Sequence, residues 1–371
     1  MALRPFALER YFARHEFSAR YLLGASDPES LTVGQLLALE PAARARLEQL
    51  WLGYTETAGA PSLREAISLR YASTRPDQVL VFSGAEEPLF AFMSTVVQPG
   101  DHLVVHAPCY QSHAEVARSR GAEVTPWRGD PGRGFALDVE ELPRLLRPNT
   151  RAVLVSVPHN PTGFLFGQDA WRRLVERVHR SGAWLVSDEV YRGLELSPEA
   201  RLPAACDLSD RAVSVDALSK SCGLPGLRVG WLCTQDRALY AQLAAFKDYT
   251  TICNAAPSEL LAEVALAHAD ALQARCRGLL ARNLRALSAF MERHADTFRW
   301  QPPLGGTTTY PALRAGGADA RCDAWVRTRG LLLVPSTLFD DGDAHLRVGY
   351  GRASFPEALA AWDEALSAPS T

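Results

Sequence analysis

The stretch Ser214–Trp231, SVDALSKSCGLPGLRVGW, decides how this chain is read. The apolar, β-branched run over 212–215 reads as a buried strand, and the Gly/Pro turn over 223–226 is one that a helix could not run through. Lys220 stands between them, and beyond the turn Arg228 opens a second apolar run over 229–233. The chain has only two lysines, Lys220 and Lys247, and otherwise takes its positive charge from arginine. A guanidinium stays protonated and cannot serve as an amine nucleophile, whereas an ammonium loses its proton when desolvated or set beside another cation. A Schiff base in this protein therefore has two candidates. Lys247 lies in LAAFKDYTT at the end of a predicted helix, where a surface lysine is ordinary. Lys220 is the better amine, presented at a strand end with a fixed cation eight residues later.

The pattern S-K-S-x-G-L-P-G-L-R-V-G-W resembles the lysine segment of the class I/II aminotransferases, the fold-type I, aspartate aminotransferase-like enzymes that depend on pyridoxal 5'-phosphate (PLP). The resemblance implies that Lys220 holds the cofactor as a Schiff base and that Arg228 binds its phosphate. Ala217 stands where relatives often carry Ser or Thr on that phosphate, so that hydrogen bond is either missing or supplied by Ser219 or Ser221.

Length and composition agree with such an enzyme. At 371 residues the chain exceeds the size at which one core keeps growing, so two domains are expected. Hydrophobic content of 47% with 22% charged residues is that of a soluble globular protein, and no apolar run is long enough to span a membrane. The N-terminus spreads its charges instead of placing a basic start before an apolar core, so no secretion signal is expected. Seven cysteines without a C-x-x-C pair argue against a disulfide framework or a zinc site and for a reducing cytoplasm. A net charge of -3 gives no electrostatic case for nucleic acid.

In chain order, Phe6 to Phe17 is amphipathic, and Gly24 follows in a loop where related enzymes carry a glycine near the substrate. GYTETAGAPSLREAI, Gly53 to Ile67, resembles the family segment whose tyrosine reaches a partner subunit's cofactor phosphate, which makes Tyr54 a phosphate ligand across a homodimer. From Val79 onward short apolar runs alternate with longer amphipathic ones, predicting a mostly parallel sheet covered on both faces. Ligands then belong at the strands' carboxyl ends.

The residues with chemistry to offer fall there. Ser83-Gly84-Ala85-Glu86 turns a strand into a helix, whose free amides and dipole suit a phosphate. No G-x-G-x-x-G or G-K-[ST] loop competes for a dinucleotide or a nucleoside triphosphate. The resemblance makes Tyr110 the ring stacked on the pyridine, and makes Asn160, in P-H-N-P-T-G, a donor to the cofactor's phenolic oxygen. His159 lines that turn. Asp188 ends another strand as an anion suited to keep a pyridine nitrogen protonated, and Tyr191 matches the family's second donor to the phenolic oxygen. Arg347, in H-L-R-V-G-Y, matches the family's clamp on the substrate carboxylate; Asn160 and Gly24 would also meet the substrate. Ser336 replaces a frequent Gly in V-x-P-G. Asp340-Asp341-Gly342-Asp343 lacks EF-hand spacing and reads as a solvated turn, so no metal is expected.

The fold expected is α/β: a fold-type I PLP-dependent transferase whose large domain holds a mostly parallel seven-stranded sheet between helices, with a smaller α+β domain. The divisions expected are an N-terminal arm with part of the small domain over 1–50, the PLP-binding domain over 51–275 and the small C-terminal domain over 276–371. The activity expected is transfer of the α-amino group of an L-amino acid to a 2-oxo acid, with Lys220, Asp188 and Tyr191 in catalytic roles. A PLP-dependent lyase or biosynthetic cyclase is the alternative, since fold does not choose among outcomes. A non-catalytic effector-binding protein is a third reading; such regulators attach a DNA-binding domain, for which no room precedes the first motif.

Overall fold

The structure, a computed structural model, describes residues 2–367. Its centre is a seven-stranded sheet built from β1 (Val79–Phe82), β2 (His102–Ala107), β3 (Glu123–Arg128), β4 (Thr150–Ser156), β5 (Trp184–Asp188), β6 (Ala212–Ala217) and β7 (Gly230–Thr234). The spatial order is β1-β7-β6-β5-β4-β2-β3. All neighbours run parallel except the two pairs made by β7, which runs against both β1 and β6. The strands are unbroken runs such as VLVF and AVSVDA because both faces are covered: β1, β2, β5, β6 and β7 are buried at every residue.

Around the sheet, helices form where apolar residues recur at helical spacing. The helix Gln168–Ser181 buries Trp171, Leu174, Val175 and Val178, the i, i+3, i+4, i+7 stripe, against strand residues such as Val153 and Leu185. It ends at Gly182, whose φ of 76° is a left-handed cap that glycine adopts at no steric cost. Each aliphatic side chain in that stripe contributes roughly 1.5–3 kcal/mol by leaving water. The helices that matter for the site are α1 (Ala7–His15), α2 (Glu86–Val96), α3 (Ser112–Ser119) and α4 (Arg237–Lys247).

The 25-residue helix Ala269–Arg293 leads away from the sheet; residue 275, where the sequence suggests a division, lies within it. Beyond it Thr308–Thr309, Val334–Pro335 and Leu346–Gly349 form a three-stranded antiparallel sheet with the last of these in the middle. Phe290, Trp325, Phe355 and Trp362 pack beneath it. The N-terminal arm is tied to this second sheet region, because Tyr21–Leu22 pairs in parallel with Leu331–Leu332.

One expectation is corrected. Lys247 does end a helix, α4, but it is no surface lysine: it is 0% exposed, and its Nζ donates to Thr57 O at 2.6 Å, Val81 O at 2.7 Å and Asn254 Oδ1 at 2.8 Å. Burial lowers its pKa. Three acceptors compensate for desolvation, so the ammonium ties two loops to the end of β1. Spacing within α4 could not reveal partners so far away in sequence.

Candidate active site

The carboxyl ends of β1, β2, β4, β5 and β6 open into one cavity of about 210 Å³, whose walls include Glu86, Tyr110, Asn160, Asp188, Tyr191, Ser219, Lys220, Arg228 and Arg347. A larger cavity of about 420 Å³, between Arg133, Gly163, Trp300 and His345, holds none of the residues singled out from the sequence. The chemistry therefore belongs to the smaller one.

Strand β6 ends in a single helical turn, Leu218–Ser221, which lifts Lys220 to the cavity; its Nζ donates to Ser26 Oγ at 3.0 Å. Eight residues on, Arg228 takes φ 52°, a left-handed conformation rare for a residue with a side chain. Its Nη1 donates to Pro225 O at 3.1 Å and its Nη2 rests on Gly84. A Cβ on Gly84, where φ is 81°, would stand 2.4 Å from Arg228 Nη2, and a Cβ on Gly230 would meet the Gly84 carbonyl at 2.7 Å. The backbone is thus bare where Arg228 meets the start of α2, whose first amides have no acceptor within the helix. Ala85 and Glu86 contribute through these amides. The Glu86 carboxyl accepts from Ser112 Oγ at 3.0 Å and is held above the usual carboxylate range by burial.

Asp188, 8% exposed at the end of β5, has one oxygen on the Val190 amide at 3.2 Å and the other 3.2 Å from His113 Nε2, an ion pair when the ring is protonated. His113 lies on α3, one turn beyond Tyr110. The Tyr110 hydroxyl donates to Glu9 Oε1 at 2.5 Å, and burial, then Glu86 and Glu9, push its pKa upward. Tyr191 donates to Ser26 O at 3.1 Å. Arg347 is 1% exposed: Nη2 donates to Gly24 O at 2.7 Å, Nη1 to Asn160 Oδ1 at 3.3 Å, and Nε has no partner. Burial lowers its pKa. Phe12 and Phe339 flank the guanidinium, their ring centres 5.5 and 5.4 Å away.

These residues fit PLP. Free helix-start amides beside the bare Gly84 and Arg228 suit a phosphate, Asp188 offers an anion to a ring nitrogen, Lys220 offers an amine within the same walls, and Arg347 has an orphaned buried donor that suits a carboxylate. Gly24 does not line the cavity; it meets the site through its carbonyl, which accepts from Arg347, and a Cβ there would stand 2.8 Å from Val334 Cγ2. Tyr54 is not brought to the cavity by its own chain; it is 84% exposed. His159 stacks on His106 behind the turn, ring centres 3.4 Å apart. Among the described residues no cluster of side chains could hold a metal.

Sequence reasoning missed Glu9, Phe12 and Ser26, which the N-terminal arm delivers, and His113. Only His113 left a local signal, in the Y-Q-S-H spacing after Tyr110.

The family described as "Aminotransferase class I and II" matches this chain over residues 22–352. Among curated proteins the chain is 32% identical to capreomycidine synthase of Streptomyces vinaceus over 370 residues, 98% of this chain and 94% of that one. Among solved structures it superposes on a PLP-dependent aminotransferase from Streptococcus suis with a TM-score of 0.93 at 29% identity, covering 99% and 98% of the two chains. It superposes on the PLP-dependent cyclase OrfR with a TM-score of 0.89 at 30% identity, with the same coverage. With the family's pattern running through residues 22–352 and an aminotransferase of the same fold superposing over nearly the whole of both chains, the chain belongs to the class I and II aminotransferases, enzymes of PLP.

Proposed function

We propose that this protein moves the α-amino group of an L-amino acid to a 2-oxo acid, with Lys220 as the group that both anchors PLP and moves the proton. The observation that carries the reading is the convergence of Lys220, Asp188, Arg228 and Arg347 on one cavity. PLP, when bound, supplies an electron sink for the substrate's α-carbon. Arg347 receives the α-carboxylate, which its free Nε and fork geometry suit, and so orients the α-carbon toward Lys220. The free Lys220 Nζ would take the α-proton as general base. Asp188, backed by His113, would face the pyridine nitrogen as an anion and favour its protonated form. Tyr110 offers its ring as a wall, and Asn160, whose Oδ1 is taken by Arg347, has its amide protons left for the phenolic oxygen.

The working form is a homodimer with shared sites. Trp51, Leu52 and Tyr249, 78%, 79% and 91% exposed, form with Tyr54 an apolar surface beside the cradle: Thr55 bonds Asn254 O, and Thr250 and Thr251 bond Glu87 of α2. The domain divisions stay as read from the sequence. A cytoplasmic location accords with seven unpaired cysteines and with the lack, among the described residues, of a helix long and apolar enough to cross a membrane.

A second reading, a cyclase using the same site, is favoured by the likeness to OrfR. Products decide. PLP-loaded protein given a panel of L-amino acids should yield pyridoxamine phosphate and a 2-oxo acid; a cyclised product or ammonia without pyridoxamine phosphate overturns transamination. Lys220→Ala should abolish the protein-linked cofactor adduct trapped by borohydride.

A further inference from the structure

The cavity's charges leave one group without an assignment. Of its cations, Lys220, Arg228 and Arg347 face the amine, phosphate and carboxylate positions. Of its carboxylates, Asp188 is matched by His113, and Glu86 is engaged by Ser112 and favoured toward its neutral form by burial. Glu9 has only the Tyr110 hydroxyl as a hydrogen-bond partner and takes part in no ion pair among the described residues, though Arg347 lies near enough to feel its charge. It sits on α1, three residues before Phe12, the ring over Arg347. At 1.5 Å of rise per residue the two positions are about 4.5 Å apart along the helix axis. One helix therefore covers the carboxylate clamp and sets a carboxylate beside it.

A substrate fixed by Arg347 at its carboxylate and by Lys220 at its α-carbon has Asn160, Asp188 and Tyr191 on the cofactor side. The wall left for its side chain is α1, with Leu8, Glu9 and Phe12, together with the Tyr110 hydroxyl. The cavity then opens outward past Glu9, Glu16 and Phe17. In that outer part Asp27 is held by Arg352 at 3.0 Å, whereas Glu16 has no ion-pair partner among the described residues and is raised above the usual carboxylate range by burial. A carboxylate side chain on the substrate would meet Glu9 as a like charge, and a purely aliphatic one would desolvate it with the Tyr110 hydroxyl as its one partner and no counter-charge; a cation supplies that charge.

We propose that Glu9 receives a cationic side chain, guanidinium or ammonium, of a basic L-amino acid. This rests on the aminotransferase-family reading of the cavity. The test is the concentration dependence of the change in the holoenzyme's visible band with L-arginine, L-lysine, L-citrulline, L-norleucine and L-glutamate. Citrulline keeps the shape of arginine without its charge. Arginine or lysine should half-saturate the change at a concentration at least tenfold below citrulline and norleucine. Glu9→Gln, whose amide oxygen still accepts from Tyr110, should reduce that preference to within about twofold; Glu16→Gln should leave it standing. A preference that survives Glu9→Gln, one that instead collapses in Glu16→Gln, or wild-type protein that favours norleucine or glutamate overturns the assignment of Glu9 while leaving the functional reading intact. A holoenzyme whose band responds to no amino acid overturns both.

Discussion

Gly84→Ala tests the phosphate cradle. The added Cβ would stand 2.4 Å from Arg228 Nη2 and 3.0 Å from its Cζ, at a backbone φ of 81°. Two costs follow, and they can be separated. The left-handed backbone costs an alanine about 1–2 kcal/mol, paid in folding stability. Arg228, tied at Nη1 to Pro225 O, must swing its other nitrogen off the cradle, and a hydrogen bond to a charged group is worth about 1.5–3 kcal/mol. That second cost falls on the cofactor and corresponds to a roughly ten- to hundredfold loss of PLP affinity. Gly100 supplies the control: its φ is 86°, but nothing lies within 4 Å of a Cβ there, so Gly100→Ala should lose stability without losing cofactor. The assay is titration of apoprotein with PLP, followed by absorbance, beside thermal melts of the apo forms. Gly84→Ala protein that binds PLP within threefold of wild type, or Gly100→Ala protein that loses it equally, would refute the placement of phosphate between Gly84 and Arg228.

Other consequences are as direct. Arg347→Lys keeps the charge but not the fork, so KM for the amino acid should rise about tenfold or more with PLP affinity unchanged; an unchanged KM removes Arg347 from carboxylate binding. Lys247→Met leaves two buried acceptors and a part-buried one without their donor and should destabilise the protein by about 2–4 kcal/mol, read from denaturant unfolding. The Asp216 carboxyl, 1% exposed, is pushed by burial from 3.8 to about 8. Because the folded state holds that proton more tightly, its contribution is complete below pH 4 and is lost as pH rises through 8, at most about 6 kcal/mol. Asp216→Asn should therefore flatten the decline of melting temperature between pH 5 and 9; parallel curves for the two proteins would show that Asp216 does not titrate there.

Much of this was legible in the chain because it is written locally. Unbroken apolar runs such as VLVF and AWLVSD mark strands covered on both faces, and residues closing a strand, such as Asp188, reach the same rim through the topology alone. What was not legible depends on contacts far apart in sequence. Lys247 looks like any helix-end lysine until Thr57 and Val81 are brought to it, 190 and 166 residues away. Ser26 and Glu9 touch Lys220 and Tyr110 across 194 and 101 residues, and no spacing within the N-terminal arm encodes either contact. Tyr54 is the converse case: its segment was readable, but within its own chain the side chain is exposed and away from the cavity.

The reversed direction of β7 bears on how the molecule is made. Edge strand β1, residues 79–82, has only β7, residues 230–234, as its neighbour in the sheet. During synthesis the β1 segment emerges about 150 residues before its partner, so the chain must carry the apolar run VLVF unpaired while β2 to β6 assemble without it. Closing so long a loop is slow, and an exposed strand is prone to pair with another molecule. The strand that leaves the rim just after Arg228 is thus the latch of the sheet. Truncated or stalled chains ending before residue 230 carry the aggregation hazard of the whole protein.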